Sequence, residues 1–600
     1  MPPLQDAARS GPRYGAVGVR RVRDVAGIWL SAGSAAVAAA RRDPPRAVVL
    51  VAQRLPPGPV RSLARTGSRL TRRRTAGRAC CEWFSGDHVA AVRTLRDIGA
   101  APRSESGAVR AALLAQALGT HAGFRAASAA VRGERAAEIR AEYEWNAGNL
   151  RRANDLLHEN GLTTARARVL ANRYAGELQI LQGRWRACSR RSRTIAGVRG
   201  RVLHVTTNSL PHTRSGYSLR TQQLAIAQRR IGLEPHVVTR LGYPLTVGRL
   251  ATGRTDVIDG VPYHRLLAVF RRDPPDRQLL RQVELTDALV EELRPALLHP
   301  TSHYPNGLAA LAVARRHDLP VVYEVRGFLE ETWASRLGPD AAATDRYRLS
   351  RERETECMLA ADRVVTLGEA MRAEIVARGV PAERVVVVPN AVEDAEPHPS
   401  TDRDGVRRRL GFGPDTVVVG TVSSVVDYEG LDTLLDAVAL LAGGRESVAV
   451  LVVGAGTALA SLRARAEALR LGPAARLIGA VPSAATADFH AALDIFVLPR
   501  HDHRVTRLVT PLKPLEAMRA GRPVIASDLP ALRELVTPER GRLVPAGDAV
   551  ALAAAVAELA ADRALRCALG GEARRWVTSD RTWTANARRY RQLYRDLGAA

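Results

Sequence analysis

The chain has 600 residues, too many for one ordinary domain, and 46% of them are hydrophobic, enough to fill several buried cores. Residues 1–200 contain 35 arginines, no lysine and 14 acidic residues, and so carry +21 of the net charge of +27. The five cysteines lack metal-binding spacing. So sparse and odd a set argues against a disulfide-stabilised secreted protein and indicates a reducing compartment.

Residues 1–75 form the first predicted segment. They are rich in Arg, Pro and Gly, so we expect little stable structure there beyond short helices. The longest uncharged stretch, residues 25–40, has 16 residues, whereas a membrane span needs about 20, and it lies too deep in the chain for a signal peptide. We therefore expect a cytoplasmic protein. The positive charge indicates an anionic membrane surface or an acidic partner rather than nucleic acid, although compositional drift explains it equally well.

Residues 76–198 are predicted to be helical and contain a weak repeat. Glu82-Trp83 and Gly86 recur as Glu144-Trp145 and Gly148, an offset of 62 residues, and a fainter echo places Gly183 35 residues after Gly148. Helix pairs that repeat every 34 residues or so are typical of tetratricopeptide arrays. A plain helical bundle is equally consistent with the pattern.

From residue 199 onward, short Val-rich runs alternate with helical stretches, which predicts an α/β protein with parallel sheets. Twelve strands exceed one ordinary sheet, and the acidic, Pro-containing stretch 390–404 is the natural linker. We expect two Rossmann-like, doubly wound domains at 199–395 and 396–575, then a C-terminal helix at 576–600. The predicted strands are Val202–Val205, Pro235–Thr239, Ala296–His299, Val321–Val325, Arg363–Leu367, Arg384–Val388, Thr416–Val422, Val448–Val453, Arg476–Ile478, Ile495–Leu498, Pro523–Ala526 and Gly541–Val544.

The strongest local signal is the stretch Val509–Met518, which contains Lys513, the one lysine of the chain. Pro514 suits the start of a helix, so Lys513 falls where free backbone N–H groups favour an anion such as phosphate. Glu516 falls in the first helical turn, where a carboxylate can accept hydrogen bonds from both ribose hydroxyls. The plainer interpretation is a solvated cap and a carboxylate that complements the helix dipole.

These residues resemble the donor-binding signature of the family-four retaining glycosyltransferases, which have the GT-B fold. The resemblance covers about two thirds of the chain and leaves the basic helical extension 1–198 unexplained. It implies an acceptor domain at 199–395 and a nucleotide-sugar donor domain at 396–575. Further stretches that carry it are Arg201–Thr221, Pro295–Gly307, Leu319–Glu330, Ala361–Val392 and Val418–Leu435.

The resemblance also implies site residues in the donor domain. Glu516 matches the second Glu of the family's Glu-x7-Glu motif, but the first falls at Leu508. The family's Arg and Lys pair on the donor diphosphate belongs within Gly420–Gly430, where this chain has Ser423, Ser424 and Glu429. Ile478 opens a segment expected to contact the donor base. The missing positive charge is expected from Lys513, Arg500, Arg504 and Arg507.

In the acceptor domain, Gly216 is expected to let the backbone approach the donor diphosphate, because no side chain intervenes. A simple tight turn is the alternative. Arg326 stands where many relatives carry a His, and it can stabilise phosphate charge. His303 is a further candidate, although a lone His after a strand is more often structural. A glycine turn at Gly454–Gly456 is a weak phosphate signal.

The expected reaction is therefore glycosyl transfer with retention, from a nucleotide sugar to a glycan, lipid-linked or cell-envelope acceptor. The resemblance implies that the leaving diphosphate helps to deprotonate the acceptor. No metal cluster is visible in the sequence, so we expect no metal and no cofactor beyond the donor substrate. Residues 1–75 would hold the enzyme peripherally at the inner face of the membrane. A nucleotide-sugar epimerase or hydrolase, and a non-catalytic scaffold or binding protein of the same fold, are the alternatives.

Overall fold

A computed structural model describes residues 57–600, apart from 72–74, 103, 119, 188–192, 250–252, 269–272, 395–401, 443 and 445–446. The described residues form two compact units. One contains the residues before 140 together with Leu241–Asp256 and Arg265–Asp273, and the other contains the remainder. The uncharged stretch 25–40 and most of the basic segment lie outside the described residues. Within them, no helix is both long enough and apolar enough to cross a membrane.

In the part of the chain that the structure describes, eight helices precede the first strand. The first, 14 residues long, lies where the sequence predicted nothing beyond short helices. Gly86 and Gly148 occupy equivalent turns with positive φ angles of 102° and 96°. Each turn joins the two helices of a pair, and one further pair lies between them. The offset of 62 residues is therefore two helix pairs. The helices are α1 (Pro57–Leu70), α2 (Ala76–Ser85), α3 (His88–Ala100), α4 (Glu105–Ala117), α5 (His121–Ala129), α6 (Gly133–Ala147), α7 (Leu150–Glu159) and α8 (Ala165–Leu181).

The last of these helices pack on the α/β body, in the same compact unit. The Trp145 ring stacks on Tyr174 with centroids 3.9 Å apart and planes 4° apart. The Arg346 guanidinium lies 5.4 Å from the centroid of Trp145, and its backbone N–H donates to the Gly148 carbonyl at 3.0 Å. Trp145 and Gly148 of the repeat thus also contact the α/β body.

Among the described residues of the first α/β domain there are eight strands. Strands β1, β2 and β5 pair in parallel, and β6, β7 and β8 do the same. Two isolated bridges, Leu298–Val321 and Thr301–Glu324, join β5 to the β6 side. The elements are β1 (Val198–Thr206), α9 (Gly216–Arg230), β2 (Glu234–Thr239), β3 (Thr255–Ile258), β4 (Val261–Arg265), α10 (Pro275–Leu293), β5 (Pro295–Pro300), α11 (Tyr304–His317), β6 (Val322–Val325), α12 (Leu329–Ala334), α13 (Asp345–Ala360), β7 (Arg363–Thr366), α14 (Glu369–Ala377) and β8 (Val385–Val387).

The second α/β domain is built on one six-stranded parallel sheet, in the order β11-β10-β9-β12-β13-β14. The central strands are continuous apolar runs because helices cover both faces. The elements are α15 (Arg403–Leu410), β9 (Val417–Val422), α16 (Leu431–Leu440), β10 (Val448–Val453), α17 (Leu459–Ala468), β11 (Ala475–Gly479), α18 (Thr486–Ala492), β12 (Ile495–Leu498), α19 (Arg504–Leu508), α20 (Lys513–Arg519), β13 (Val524–Ser527), α21 (Pro530–Arg533), β14 (Gly541–Val544), α22 (Ala549–Ala561), α23 (Arg563–Asp580) and α24 (Trp583–Asp596).

The predicted α/β class is confirmed, and all twelve predicted strands are present, with bounds that differ by at most four residues. Strands β3 and β4 were missed. They are joined by Asp259-Gly260, both with positive φ, and they extend the first sheet beyond β2. The predicted boundary at 575–576 falls inside α23 and needs correction, since that helix continues to Asp580.

The C-terminal helix α24 returns to the first domain. Its Trp583, Tyr590 and Tyr594 share a buried core with Val202 of β1 and Leu297 of β5. The first domain is therefore completed by residues from the far end of the chain, and the chain passes between the two domains twice.

A buried carboxylate, Glu324 on β6, joins these elements. It pairs with Arg326 at 2.6 Å and with Arg220 of α9 at 2.7 Å, and it accepts a hydrogen bond from the Tyr590 hydroxyl at 2.8 Å. Burial alone would raise the pKa of Glu324, but Arg326 and Arg220 hold it well below its usual range. Arg220 also donates to the carbonyls of Val388 and Pro389 in the interdomain connection.

We predict that Glu324→Gln lowers the free energy of unfolding by about 3–5 kcal/mol, because two buried guanidinium groups lose their counter-charge. Urea denaturation followed by circular dichroism measures this. Glu284→Gln is the matched control. It removes one partner of the exposed Arg281–Glu284 pair on α10 and should cost less than about 1 kcal/mol. Equal losses in both variants would contradict the structural role of Glu324.

Candidate active site

Most of the predicted site residues lie at the carboxyl ends of parallel strands. In a doubly wound sheet, all such ends share one edge, so the loops that follow them converge. Residues after β1, β5 and β6 meet in the first domain; in the second, the predicted residues lie near the end of β11 or follow β12. The residues concerned are Gly216, His303 and Arg326 in the first domain, and Ile478, Arg500 and Lys513 in the second.

The two edges face each other across a cleft. A Cβ atom built on Gly216 would lie 3.6 Å from Cδ1 of Leu512, and one built on Gly327 would lie 3.9 Å from Cγ2 of Val509. Ser215 caps α9 and sets Gly216 at its first helical position, without a positive φ. A tight turn therefore does not require this glycine. Its missing side chain instead keeps the gap beside Leu512 open.

Lys513 and Glu516 occupy the second-domain side of this cleft. Helix α20 begins at Lys513, one residue earlier than expected, and Pro514 follows. The Lys513 Nζ atom donates to Oε2 of Glu516 at 2.9 Å, and both side chains are about one-third exposed. Loss of hydration on burial opposes the ionisation of this carboxylate, but His490 and Lys513 outweigh this and lower the pKa of Glu516 to about 2. Glu516 is therefore ionised at neutral pH.

His490 of α18 is a site neighbour that the sequence analysis missed. It is 2% exposed, and its ring stacks near Phe496 with centroids 5.8 Å apart. Its Nε2 atom lies 3.4 Å from Oε2 of Glu516, and neither ring nitrogen has a hydrogen-bond partner in the described part of the chain. A lone His in the apolar run 489–492 carries no sequence signal that distinguishes it from a core residue.

The three arginines predicted to bind the diphosphate all have carboxylate partners. Arg500 forms a two-point pair with Glu429 at 2.8 and 3.1 Å, and both side chains are buried. Arg504 reaches Glu331 at 2.7 Å and Glu374 at 2.6 Å, both in the first domain. The Arg507 Nη2 atom donates to Asp502 at 2.7 Å on the surface of its own domain.

Of the two predicted catalytic residues of the first domain, Arg326 is buried and His303 is partly buried. Besides its pair with Glu324, Arg326 donates to the Tyr217 carbonyl at 2.9 Å and to the Thr221 hydroxyl at 2.6 Å. It thus fixes the first turn of α9 and has no exposed face toward the cleft. Burial and the charge of Arg240 lower the pKa of His303 to about 4, so this imidazole is neutral at pH 7.

Two family models match the α/β part of the chain. The model described as Glycosyl transferase 4-like domain matches residues 215–391, and the one described as Glycosyl transferases group 1 matches residues 413–562. The chain belongs to the group 1 glycosyltransferases. Both matches begin after the helical extension and include the loops that form the cleft.

Two curated relatives illustrate the range of similarity to this glycosyltransferase. The D-inositol 3-phosphate glycosyltransferase of Kineococcus radiotolerans is 28% identical over 433 residues, which cover 68% of this chain and 96% of the relative. The GDP-mannose-dependent alpha-(1-6)-phosphatidylinositol monomannoside mannosyltransferase of Mycobacterium tuberculosis is 31% identical over 225 residues, which cover 37% of this chain and 58% of the relative.

Solved structures show the same fold. Sucrose-phosphate synthase from Thermosynechococcus elongatus superimposes with a TM-score of 0.55 at 21% identity, covering 66% of this chain and 99% of that protein. The Anabaena protein HepE, in complex with UDP, gives a TM-score of 0.52 at 17% identity, with 67% and 100% covered. At such identities the likeness shows the GT-B fold.

The arginines of this glycosyltransferase differ in how easily each could leave its partner for a ligand. Freeing Arg500 would leave Glu429 buried without a counter-charge, at a cost of about 3–5 kcal/mol. Freeing Arg504 would cost less, because buried Glu331 keeps the Tyr347 hydroxyl and Glu374 keeps Arg351 and Arg378. Arg507 and Asp502 are both largely exposed, and such pairs are worth about 0–1 kcal/mol. Arg507 can thus move at little cost, whereas Arg500 and Arg504 are held in place.

Two further predicted features have plain positions in the structure. Ile478 lies near the carboxyl end of edge strand β11, partly buried against the second-domain core. A Cβ atom on Gly454 or Gly456 would lie about 2 Å from the carbonyl oxygen of Ser423 or Val425. These glycines therefore let two loops pack closely, and that packing accounts for the glycine turn without a phosphate.

We predict that Arg504→Ala lowers the free energy of unfolding by about 1–2 kcal/mol. The loss is smaller than for a fully buried pair because the guanidinium is half exposed and Glu331 and Glu374 keep other donors. It should also speed amide exchange at the α12 and α14 ends that face the second domain. Arg507→Ala is the control and should change stability by less than about 1 kcal/mol. Hydrogen-exchange mass spectrometry and thermal unfolding compare the two. Equal exchange rates and equal stabilities in the two variants would contradict a role for Arg504 in joining the domains.

Proposed function

We propose that this glycosyltransferase moves a sugar from a nucleoside-diphosphate donor to its acceptor with retention of configuration. The observation that carries the proposal is the Lys513–Glu516 pair, which begins one residue after Leu512, the residue that faces Gly216 across the cleft. It offers a cation for a diphosphate, a carboxylate for ribose hydroxyls, and a backbone surface without a side chain. One relative is named GDP-mannose-dependent, and HepE was solved with UDP.

In the proposed reaction, the protein supplies orientation and charge. Lys513 neutralises the leaving diphosphate, which itself helps to deprotonate the acceptor. Lys513 can leave Glu516 at modest cost, since both side chains of the pair are about one-third exposed. Arg507, on the preceding helix α19, is the second cation proposed for the phosphates, because its exposed pair with Asp502 is weak. Arg326 acts indirectly, because it fixes the turn that contains Gly216 and Tyr217.

We further propose that no metal and no additional cofactor take part. Within the described residues, one cluster has metal-binding side chains close together, namely Asp287, Glu291 and His317. It lies where α10 and α11 end and lead into β5 and β6, at the amino edge of the sheet. Arg316 already forms ion pairs with Asp287 and Glu291. Lys513 provides the positive charge that a metal would otherwise supply in the cleft.

We propose a lipid-linked or cell-envelope acceptor, reached from a peripheral position on an anionic membrane. Helix α1 exposes Leu63 and Leu70, at 73% and 80%, one heptad apart on its surface. Exposed Arg65 and Arg69 lie beside them. An apolar stripe flanked by arginines suits the interface of an anionic bilayer, where each basic residue contributes about 1 kcal/mol.

The donor proposal is tested by thermal unfolding with UDP, GDP, ADP and their sugar conjugates. A ligand at 100 times its dissociation constant should stabilise the protein by about 2.7 kcal/mol. We expect one nucleotide to raise the midpoint in excess EDTA as well as without it, and Lys513→Ala to abolish the effect. Arg533→Ala, which removes a cation from an exposed pair with Asp528, is the control and should leave the shift intact. No shift with any nucleotide would contradict the proposal.

The membrane proposal is tested by flotation with vesicles of phosphatidylglycerol and phosphatidylcholine. We expect the full chain to float with the anionic vesicles and to be released by high salt, because the attraction is screened. Leu63→Ser together with Leu70→Ser should weaken binding while the charge stays constant. Exposed Leu440→Ser, on α16, is the control. Binding that is unaffected by the α1 changes would rule out this helix as the membrane anchor.

A further inference from the structure

The two oxygens of the Glu516 carboxylate have different surroundings. Lys513 Nζ lies 2.9 Å from Oε2, and His490 Nε2 lies 3.4 Å from the same oxygen. No described residue donates a hydrogen bond to Oε1. One oxygen is therefore held from two sides, and the other is left for a ligand.

His490 is unusual for a buried polar residue. It is 2% exposed, yet both ring nitrogens lack hydrogen-bond partners among the residues that the structure describes. Buried polar groups are nearly always hydrogen-bonded, and an exception calls for a reason. The Oε2 atom of Glu516 is within a few tenths of an ångström of hydrogen-bond distance from Nε2. The ring also stacks near Phe496, so it is held at the back of the cleft.

We propose that His490 is a positioning residue for the donor: it anchors Oε2 of Glu516, so that Oε1 is presented to the ribose hydroxyls. The inference rests on the proposed nucleotide site. The contact between His490 and Glu516 matters more once the donor binds, since the diphosphate draws Lys513 away from Glu516. Of the two neighbours that the structure shows on Oε2, His490 is then the one that remains. Without it, the carboxylate would regain rotamer freedom, and ribose recognition would weaken.

The test measures ribose recognition directly. Isothermal titration calorimetry gives the dissociation constants of the nucleoside diphosphate selected by thermal unfolding, from among UDP, GDP and ADP, and of its 2′-deoxy counterpart. Hydrogen bonds to a charged group justify an expected preference of about tenfold or more for the ribonucleotide in the wild type. We expect His490→Phe to reduce this preference severalfold, and Glu516→Gln to do the same. The double variant should show no further loss, because both changes remove one shared contact.

Conservative variants separate positioning from packing. The His490→Gln carboxamide can place an N–H near the position of Nε2 and should retain most of the preference, whereas the shorter His490→Asn should lose it. This pair keeps the test decisive if His490→Phe does not fold. An unchanged preference in folded His490→Phe, or equal behaviour of the Gln and Asn variants, would overturn the inference.

The inference and the proposed function fail in different ways. If the wild type binds none of the three nucleotides, the donor site itself is wrong and the inference falls with it. If the wild type binds one of them and Lys513→Ala weakens binding, the donor site stands. An unaltered ribose preference in the His490 variants would then remove the positioning role alone.

Discussion

The buried ion pairs of Glu324 determine whether this cleft has a fixed geometry. One carboxylate on β6 pairs with both Arg220 and Arg326 and accepts a hydrogen bond from the Tyr590 hydroxyl of α24. None of these charges could stay buried alone, since breaking a buried pair costs about 3–5 kcal/mol. The network therefore forms as a unit or not at all, and it joins strand β6, helix α9 and the C-terminal helix α24.

The donor side of the cleft depends on the same network through the interdomain connection. Arg220 donates to Val388, Pro389 and Asn390 Oδ1, and the Asn390 amide donates in turn to the Thr510 carbonyl at 3.0 Å. Thr510 lies three residues before Lys513. The interdomain connection is therefore fixed at residues 388–390, because the Arg220 guanidinium donates to all three. A second contact, from Glu534 to the backbone N–H groups of Glu369 and Ala370, closes the other side.

The strands and the donor motif could be predicted because their signals are local. The period-two pattern could also have paired Glu324 with Arg326, since residues two apart on a strand share a face. Likewise, Asp259-Gly260 is a strong hairpin signal that would have predicted β3 and β4. The partners of Arg500 and Arg504 lie 71 and more than 100 residues away. No local pattern identifies these partners. The sequence therefore assigned diphosphate binding to Arg500 and Arg504, whereas the fold pairs both side chains with carboxylates.

The distribution of charge explains why one lysine suffices in an arginine-rich chain. The buried arginines 220, 326 and 500 each have a carboxylate that depends on them, so a ligand cannot recruit them without leaving a buried charge. Lys513 differs because its partner, Glu516, is itself a proposed ligand group. Donor binding then exchanges one partly exposed ion pair for a phosphate contact and a ribose contact, and the buried network is left intact. A compact ammonium suits that exchange better than a planar guanidinium, whose fork would favour a two-point pair with Glu516.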